Sequence, residues 1–151
     1  MKIRIFSIVL IAVLLVGMFP VNVSAAQTHE SIITFDDGSY LQITIEDIST
    51  RATNTRTANK YLTYYNSSDE VEWEAKLTAS FTYTGTTSSC TSASCSVTVN
   101  DSAWYVVSKS ASYSGNTATA NLTMGKKFLG ITIDKPEYTI TLTCDKDGNL
   151  S

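Results

Sequence analysis

From Glu72 to Thr84 the chain alternates strictly between two kinds of residue. Trp73, Ala75, Leu77, Ala79, Phe81 and Tyr83 fall on one side, and Glu72, Glu74, Lys76, Thr78, Ser80, Thr82 and Thr84 on the other. A period of two is the signature of a half-buried strand, because successive side chains of an extended backbone point to opposite faces. At helical spacing the same apolar residues would scatter around the axis, so a helix is excluded here. This segment therefore demands a sheet with one wet and one dry face, and a second layer to cover the dry one.

The same pattern recurs at short intervals. Cys95, Val97 and Val99 alternate before Asn100-Asp101, and Trp104 to Tyr113 runs to Ser114-Gly115-Asn116. Ala118, Ala120, Leu122 and Met124 alternate before Gly125, Phe128 to Ile133 is a more continuous apolar run, and Tyr138, Ile140, Leu142 and Cys144 close the series. Upstream, Lys60 to Tyr65 and the strand from Val71 flank a polar loop, Asn66 to Glu70. Each run reads as one strand of a meander or Greek key. Abundant Ser and Thr suit solvated sheet faces, while Val, Ile and Tyr suit buried ones. The expected fold is all-β, an immunoglobulin/fibronectin-like antiparallel β-sandwich, with a small β-barrel as the alternative.

Before this block, Ile32 to Phe35 and Tyr40 to Ile45 flank Asp36-Asp37-Gly38-Ser39, a short-loop hairpin signal. A hairpin alone is marginal in water, so it must lie on the sandwich, extend a sheet or dock on another molecule. Residues 46–58 are polar and read as an exposed linker. The first residues have a different origin. Lys2 and Arg4 precede an apolar stretch from Ile5 to Met18, Pro20 breaks it, and Val23-Ser24-Ala25-Ala26 offers small residues for cleavage. That is the layout of a secretory signal peptide. The organisation expected is a signal peptide over 1–25, a hairpin arm over 26–45, a polar linker over 46–58 and a sandwich over 59–151.

Cleavage leaves about 126 of the 151 residues, and it removes Lys2 and Arg4 but no acid, so the mature chain is more acidic than the formal charge of −3. With no basic cluster longer than Lys126-Lys127, the chain lacks the positive patch that nucleic acid or an anionic membrane requires. No later stretch reaches the ~18 apolar residues of a spanning helix. A secreted, extracellular protein with no stable membrane insertion is expected.

Candidate chemistry is sparse. The single histidine, His29, lies close to the expected new N-terminus, a poor place for a positioned base. Gly-rich phosphate loops and HExxH are absent from the sequence. Glu72 and Glu74 share a strand face, and Asp36 and Asp37 are adjacent; such neighbouring acids read as solubilising charge. Asp145-Lys146-Asp147-Gly148-Asn149 matches the opening of an EF-hand loop, but Leu150 stands where the glycine is required. A polar turn is expected there, with weak calcium binding near Asp145 and Asp147 as the alternative. Neither catalysis, nor a cofactor, nor a metal site is expected.

Three cysteines in an exported chain leave one over. Cys144 ends the last strand, Cys95 lies on the apolar face of its own, and Cys90 sits in the Ser/Thr-rich stretch Thr84 to Ser94, read as a loop. Placement at a loop and a strand end favours Cys90 with Cys144; Cys95 with Cys144 stays open.

Several segments carry a resemblance: Tyr64-Tyr65-Asn66-Ser67 leading to Trp73, Ser80 to Gly85 followed by Cys90-Thr91-Ser92, Ser108 to Ala111 leading to Ser114 to Ala118, Lys127 to Ile131, and Thr141 to Asp145 through Gly148. They resemble a family of small exported proteins of unknown function from Gram-positive anaerobic bacteria. The resemblance runs from about Ile32 onward and implies export and a β-rich fold. It also implies that Cys90 and Cys144 occupy the family's two cysteine positions, with Cys95 an addition. It implies no activity and no ligand.

The function expected is a non-catalytic binding or adhesion module for an extracellular protein or glycan, with Tyr64, Tyr65 and Tyr105 as contact residues. The alternative is a structural, self-associating envelope protein whose hairpin pairs with a neighbour's sheet edge.

Overall fold

The structure, a computed structural model, describes residues 29–49 and 54–151. Nine strands follow one another: β1 (His29–Thr34), β2 (Tyr40–Asp47), β3 (Thr55–Tyr65), β4 (Val71–Tyr83), β5 (Ser88–Val99), β6 (Trp104–Ser114), β7 (Thr117–Phe128), β8 (Ile131–Asp134) and β9 (Glu137–Thr143). They form two antiparallel sheets, β1-β2-β3-β4-β5 and β6-β7-β8, with β9 pairing β7 in the second. Within each sheet the strands consecutive in sequence pair, β1 through β5 in the first and β6 through β8 in the second, so each sheet is built as a meander and the β5–β6 connection crosses between them. The sheets pack face to face as a sandwich, and neither closes into a barrel.

The dry faces are those the alternation marks. Trp73, Ala75, Leu77, Ala79 and Phe81 of β4 are buried against Ala118, Ala120, Leu122 and Met124 of β7 and Ile140 and Leu142 of β9. An aromatic stack holds one end of the core. The Trp73 ring meets Tyr64 at 5.6 Å, Trp104 at 6.0 Å and Tyr138 at 5.1 Å between centroids. Trp73 and Trp104 come one from each sheet. Pro136 falls in the break between β8 and β9, where its missing N–H costs no ladder bond, and its carbonyl accepts from the Met124 N–H at 3.0 Å.

The N-terminal hairpin is part of the first sheet, which corrects the arm and linker boundaries expected. β2 pairs with β3 along its whole length, from Tyr40 opposite Tyr65 to Asp47 opposite Ala58, and Leu41 and Ile45 are buried. The supposed linker, residues 46–58, contributes the end of β2 and the start of β3, and Ala58 is fully buried. Among its described residues, polar side chains are held by hydrogen bonds and an ion pair. Arg56 bonds Asp47 at 3.2 Å and donates from Nε to the Gly148 carbonyl at 3.1 Å. Residues 1–25, and 50–53 of the linker, lie outside the described residues.

Two further differences concern the second half. Cys90 lies inside β5, opposite Phe81, rather than in a loop, because the strand begins at Ser88 and a register shift opposite Ser80 and Phe81 absorbs Thr91. The apolar run Phe128 to Ile133 is an exposed hairpin tip: β8 is an edge strand that pairs with β7, and Leu129 is 87% exposed. Among the described residues no helix is long and apolar enough to cross a membrane.

Candidate functional site

The outer, wet face of the first sheet carries a hollow open to solvent. β3 presents Tyr61, Thr63 and Tyr65 there in alternation, two large side chains around a small one. The two tyrosine Cα atoms are four residues apart, roughly 13 Å along an extended strand. Thr63 forms the floor between them, and register sets its neighbours: Gln42 lies opposite on β2 and Glu74 opposite on β4. One step along, Thr44 lies opposite Tyr61; a further step brings Glu46 opposite Asn59. These residues line a cavity of about 400 Å³, open to solvent.

Mutual hydrogen bonds fix the side chains. The Tyr61 hydroxyl donates to Glu46 Oε2 at 2.9 Å, and Asn59 Nδ2 donates to the same oxygen at 3.2 Å. Thr78 Oγ1 donates to Asn59 Oδ1 at 2.8 Å, and Thr63 Oγ1 to Glu74 Oε2 at 3.2 Å. Asn59 and Thr63 are buried under their larger neighbours despite facing outward. Burial, then the bond to Glu46, pushes the Tyr61 phenol above its ordinary pKa, so it stays neutral and keeps donating. At one end Tyr65 stacks on Tyr40, with centroids 4.7 Å apart and planes 10° apart. Tyr40 in turn donates to Asp69 Oδ1 at 3.2 Å. The groove thus has aromatic walls and a floor of oriented oxygens, an arrangement with little freedom to lose on binding.

Of the three tyrosines expected as contacts, Tyr65 alone lines this groove. Tyr64 is corrected to a core residue. It is 7% exposed, its hydroxyl donates to Ser39 Oγ at 2.9 Å, and its ring stacks on Trp73. Tyr105 belongs to the other sheet. Its ring lies over Gly125, its hydroxyl is 2.9 Å from Thr132 Oγ1, and the Lys127 ammonium sits 4.5 Å from the ring centre. Tyr65 and Tyr105 are therefore not brought together.

Glu72 and Glu74 also separate. A register shift after Tyr64 skips Glu72, and the indole of Trp104 donates to its Oε2 at 2.5 Å. Glu72 thus anchors a core tryptophan, while Glu74 stays on the groove. The sequence reading missed Gln42, Thr44, Glu46, Tyr61, Thr63 and Glu74. The available signal was parity: Leu62 and Tyr64 share the dry face, so Tyr61, Thr63 and Tyr65 must share the wet one.

The remaining candidates resolve into structure. Asp145 closes a turn: its Oδ1 accepts from the Asp147 and Asn149 N–H groups at 2.8 Å each, and its Oδ2 accepts from the Asn149 side chain at 2.8 Å. Those bonds, that from the Asn149 side chain foremost, hold its carboxyl below the usual range. Cys90, Cys95 and Cys144 are free thiols here, so the expected Cys90–Cys144 bridge is not formed. The structure nevertheless brings these two together. The Cys90 N–H donates to the Gly115 carbonyl at 2.7 Å and the Cys144 N–H to the next carbonyl, Asn116, at 3.1 Å. Burial raises the pKa of both thiols. Compared with known proteins, the chain matches no family model, no curated protein and no solved structure.

Proposed function

We propose that the protein is an exported, non-catalytic carbohydrate-binding module whose site is the groove on the outer face of the five-stranded sheet. The observation that carries this reading is the Tyr61-Thr63-Tyr65 alternation. It sets two aromatic side chains about a floor of Gln42, Thr63 and Glu74 oxygens within about 400 Å³. A pyranose ring offers C–H patches that pack on aromatic faces and a rim of hydroxyls that both donate and accept. A protein partner would favour a drier surface with an apolar centre. The adhesion reading places the groove outside the cell, reached through the signal sequence at residues 1–25.

The test is a glycan array followed by titration calorimetry with any saccharide retained. Tyr65→Ala removes the wall stacked on Tyr40, and we expect it to weaken binding about tenfold while leaving the melting curve cooperative. An array with no retained saccharide, or a Tyr65→Ala protein that binds like the parent, would reject the proposal. In the oxidising compartment this reading requires, Cys90 and Cys144 are proposed to pair.

A further inference from the structure

The lining of the groove is unbalanced in a way that narrows what it takes. Its charged groups are two carboxylates, and neither forms an ion pair: the pairs among the described residues are Arg56 with Asp47 and Lys146 with Asp147. Lys76 stands on the same face, opposite Tyr61, without pairing to either acid. On Glu46 the internal bonds converge on Oε2, and on Glu74 the Thr63 bond also takes Oε2. The second oxygen of each carboxylate accepts no hydrogen bond from the described residues. The Tyr61 proton is already given to Glu46. The ring faces of Tyr61 and Tyr65 carry the negative side of the aromatic quadrupole. The Gln42 amide and the Thr44 hydroxyl can donate, but no cation among the described residues lines the groove beside its two carboxylates, so a ligand bringing donors and positive charge is favoured.

We propose that the groove selects saccharides bearing free ammonium groups, of which β-linked glucosamine oligomers are the simplest. The inference rests on the carbohydrate reading and deepens it. An ammonium at the sugar's C2 supplies three donors and a charge to Glu46 or Glu74, while the pyranose ring packs against tyrosine. N-acetylation would replace that cation with a neutral amide, which keeps one N–H donor and adds a carbonyl acceptor and a methyl group, so the carboxylates would lose their counter-charge on binding. Uronic or sialic acids would bring a third negative charge. The roughly 13 Å between Tyr61 and Tyr65 gives room for more than one ring along β3.

The test is calorimetry on the full mature chain at physiological ionic strength with four probes: a glucosamine tetramer, an N-acetylglucosamine tetramer, a glucose tetramer and tetralysine. We expect the glucosamine tetramer to bind at least about tenfold tighter than the other three. Glu74→Gln and Glu46→Gln should each weaken it about tenfold. Glu137→Gln, on β9 of the other sheet, should leave it unchanged, and melting curves would verify that each variant folds. Equal binding of acetylated or neutral tetramers overturns the selectivity and leaves the carbohydrate reading standing. Binding of no saccharide overturns both. Tetralysine bound as tightly as glucosamine, or Glu137→Gln as damaging as Glu74→Gln, reduces the effect to attraction by an acidic protein and overturns the proposal.

Discussion

Gly125 shows how one missing Cβ can organise a sheet surface. A Cβ there would lie 2.2 Å from Cζ of Tyr105, so the glycine is what lets that ring lie flat on β7. Gly125→Ala must lift the ring, breaking its contact with Thr132 and its place beside Lys127. We expect a loss of about 1–3 kcal/mol in urea unfolding. The loss should largely vanish when Tyr105→Ala is already present; undiminished additivity would mean that the strain lies elsewhere. At this scale the sequence is legible where parity has an anchor. Trp73, Ala75, Leu77, Ala79 and Phe81 point inward as their alternation requires, and Tyr64 follows Leu62 inward, so a period of two leaves only Tyr65 of the pair Tyr64 and Tyr65 on the wet face. Glu72 was not readable, because a bulge reassigns a residue without leaving a composition mark.

At the level of elements, the difficulty lay in strands that are polar on both visible counts. The end of β2 and the start of β3 carry Glu46, Asp47, Thr55, Arg56, Thr57 and Asn59, and such a string reads as linker when hydropathy is the guide. It is a strand because β3 lies between two partners and small Ala58 fills the inward position. The polar groups find each other across the ladder. The groove was hidden for the same reason, since its two carboxylates come from β2 and β4 and meet only through register. A chain beginning near Thr57 should therefore fail as a stable monomer. It lacks Leu41 and Ile45 from the core and leaves the edge of β3 unpaired. We expect light scattering to detect association and circular dichroism to lose the cooperative melt. Leu41→Ala alone should cost about 2–5 kcal/mol. A truncated chain that stays monomeric with an unchanged melt would contradict the integrated sheet.

For the whole molecule, stability depends on how the two sheets are joined. Cys90 lies on the last strand of one sheet and Cys144 follows the last strand of the other, and both amides hang from consecutive carbonyls of the β6–β7 turn. Their proposed bridge would contribute about 4 kcal/mol on the chain-entropy view. Reduction should then lower the melting temperature, while Cys95→Ser should leave the response to reductant intact. A peptide map linking Cys95 to either partner would exclude the pairing.

Alkaline pH probes the same core from its aromatic end. Tyr138 packs against Trp73, and burial pushes its phenol up to about 12, from 10.0 when unperturbed. Burial also raises Tyr61 and Tyr40. For an acid raised on folding, the folded state holds the proton longer, so the unfolded chain ionises first. The stabilisation is complete below pH 10 and declines between about 10 and 12, because unfolding there releases a proton. Tyr138 alone sets a limiting slope of about 1.4 kcal/mol per pH unit. Tyr138→Phe keeps the ring and removes the titration, so its unfolding free energy should fall less steeply than the parent's across that window and run parallel to it at neutral pH. The thiols and the other tyrosines titrate in both proteins, so the difference between the two curves isolates Tyr138. Parallel curves throughout the alkaline range would mean that the phenol reaches water in the folded state, and that the aromatic stack does not seal that end of the sandwich.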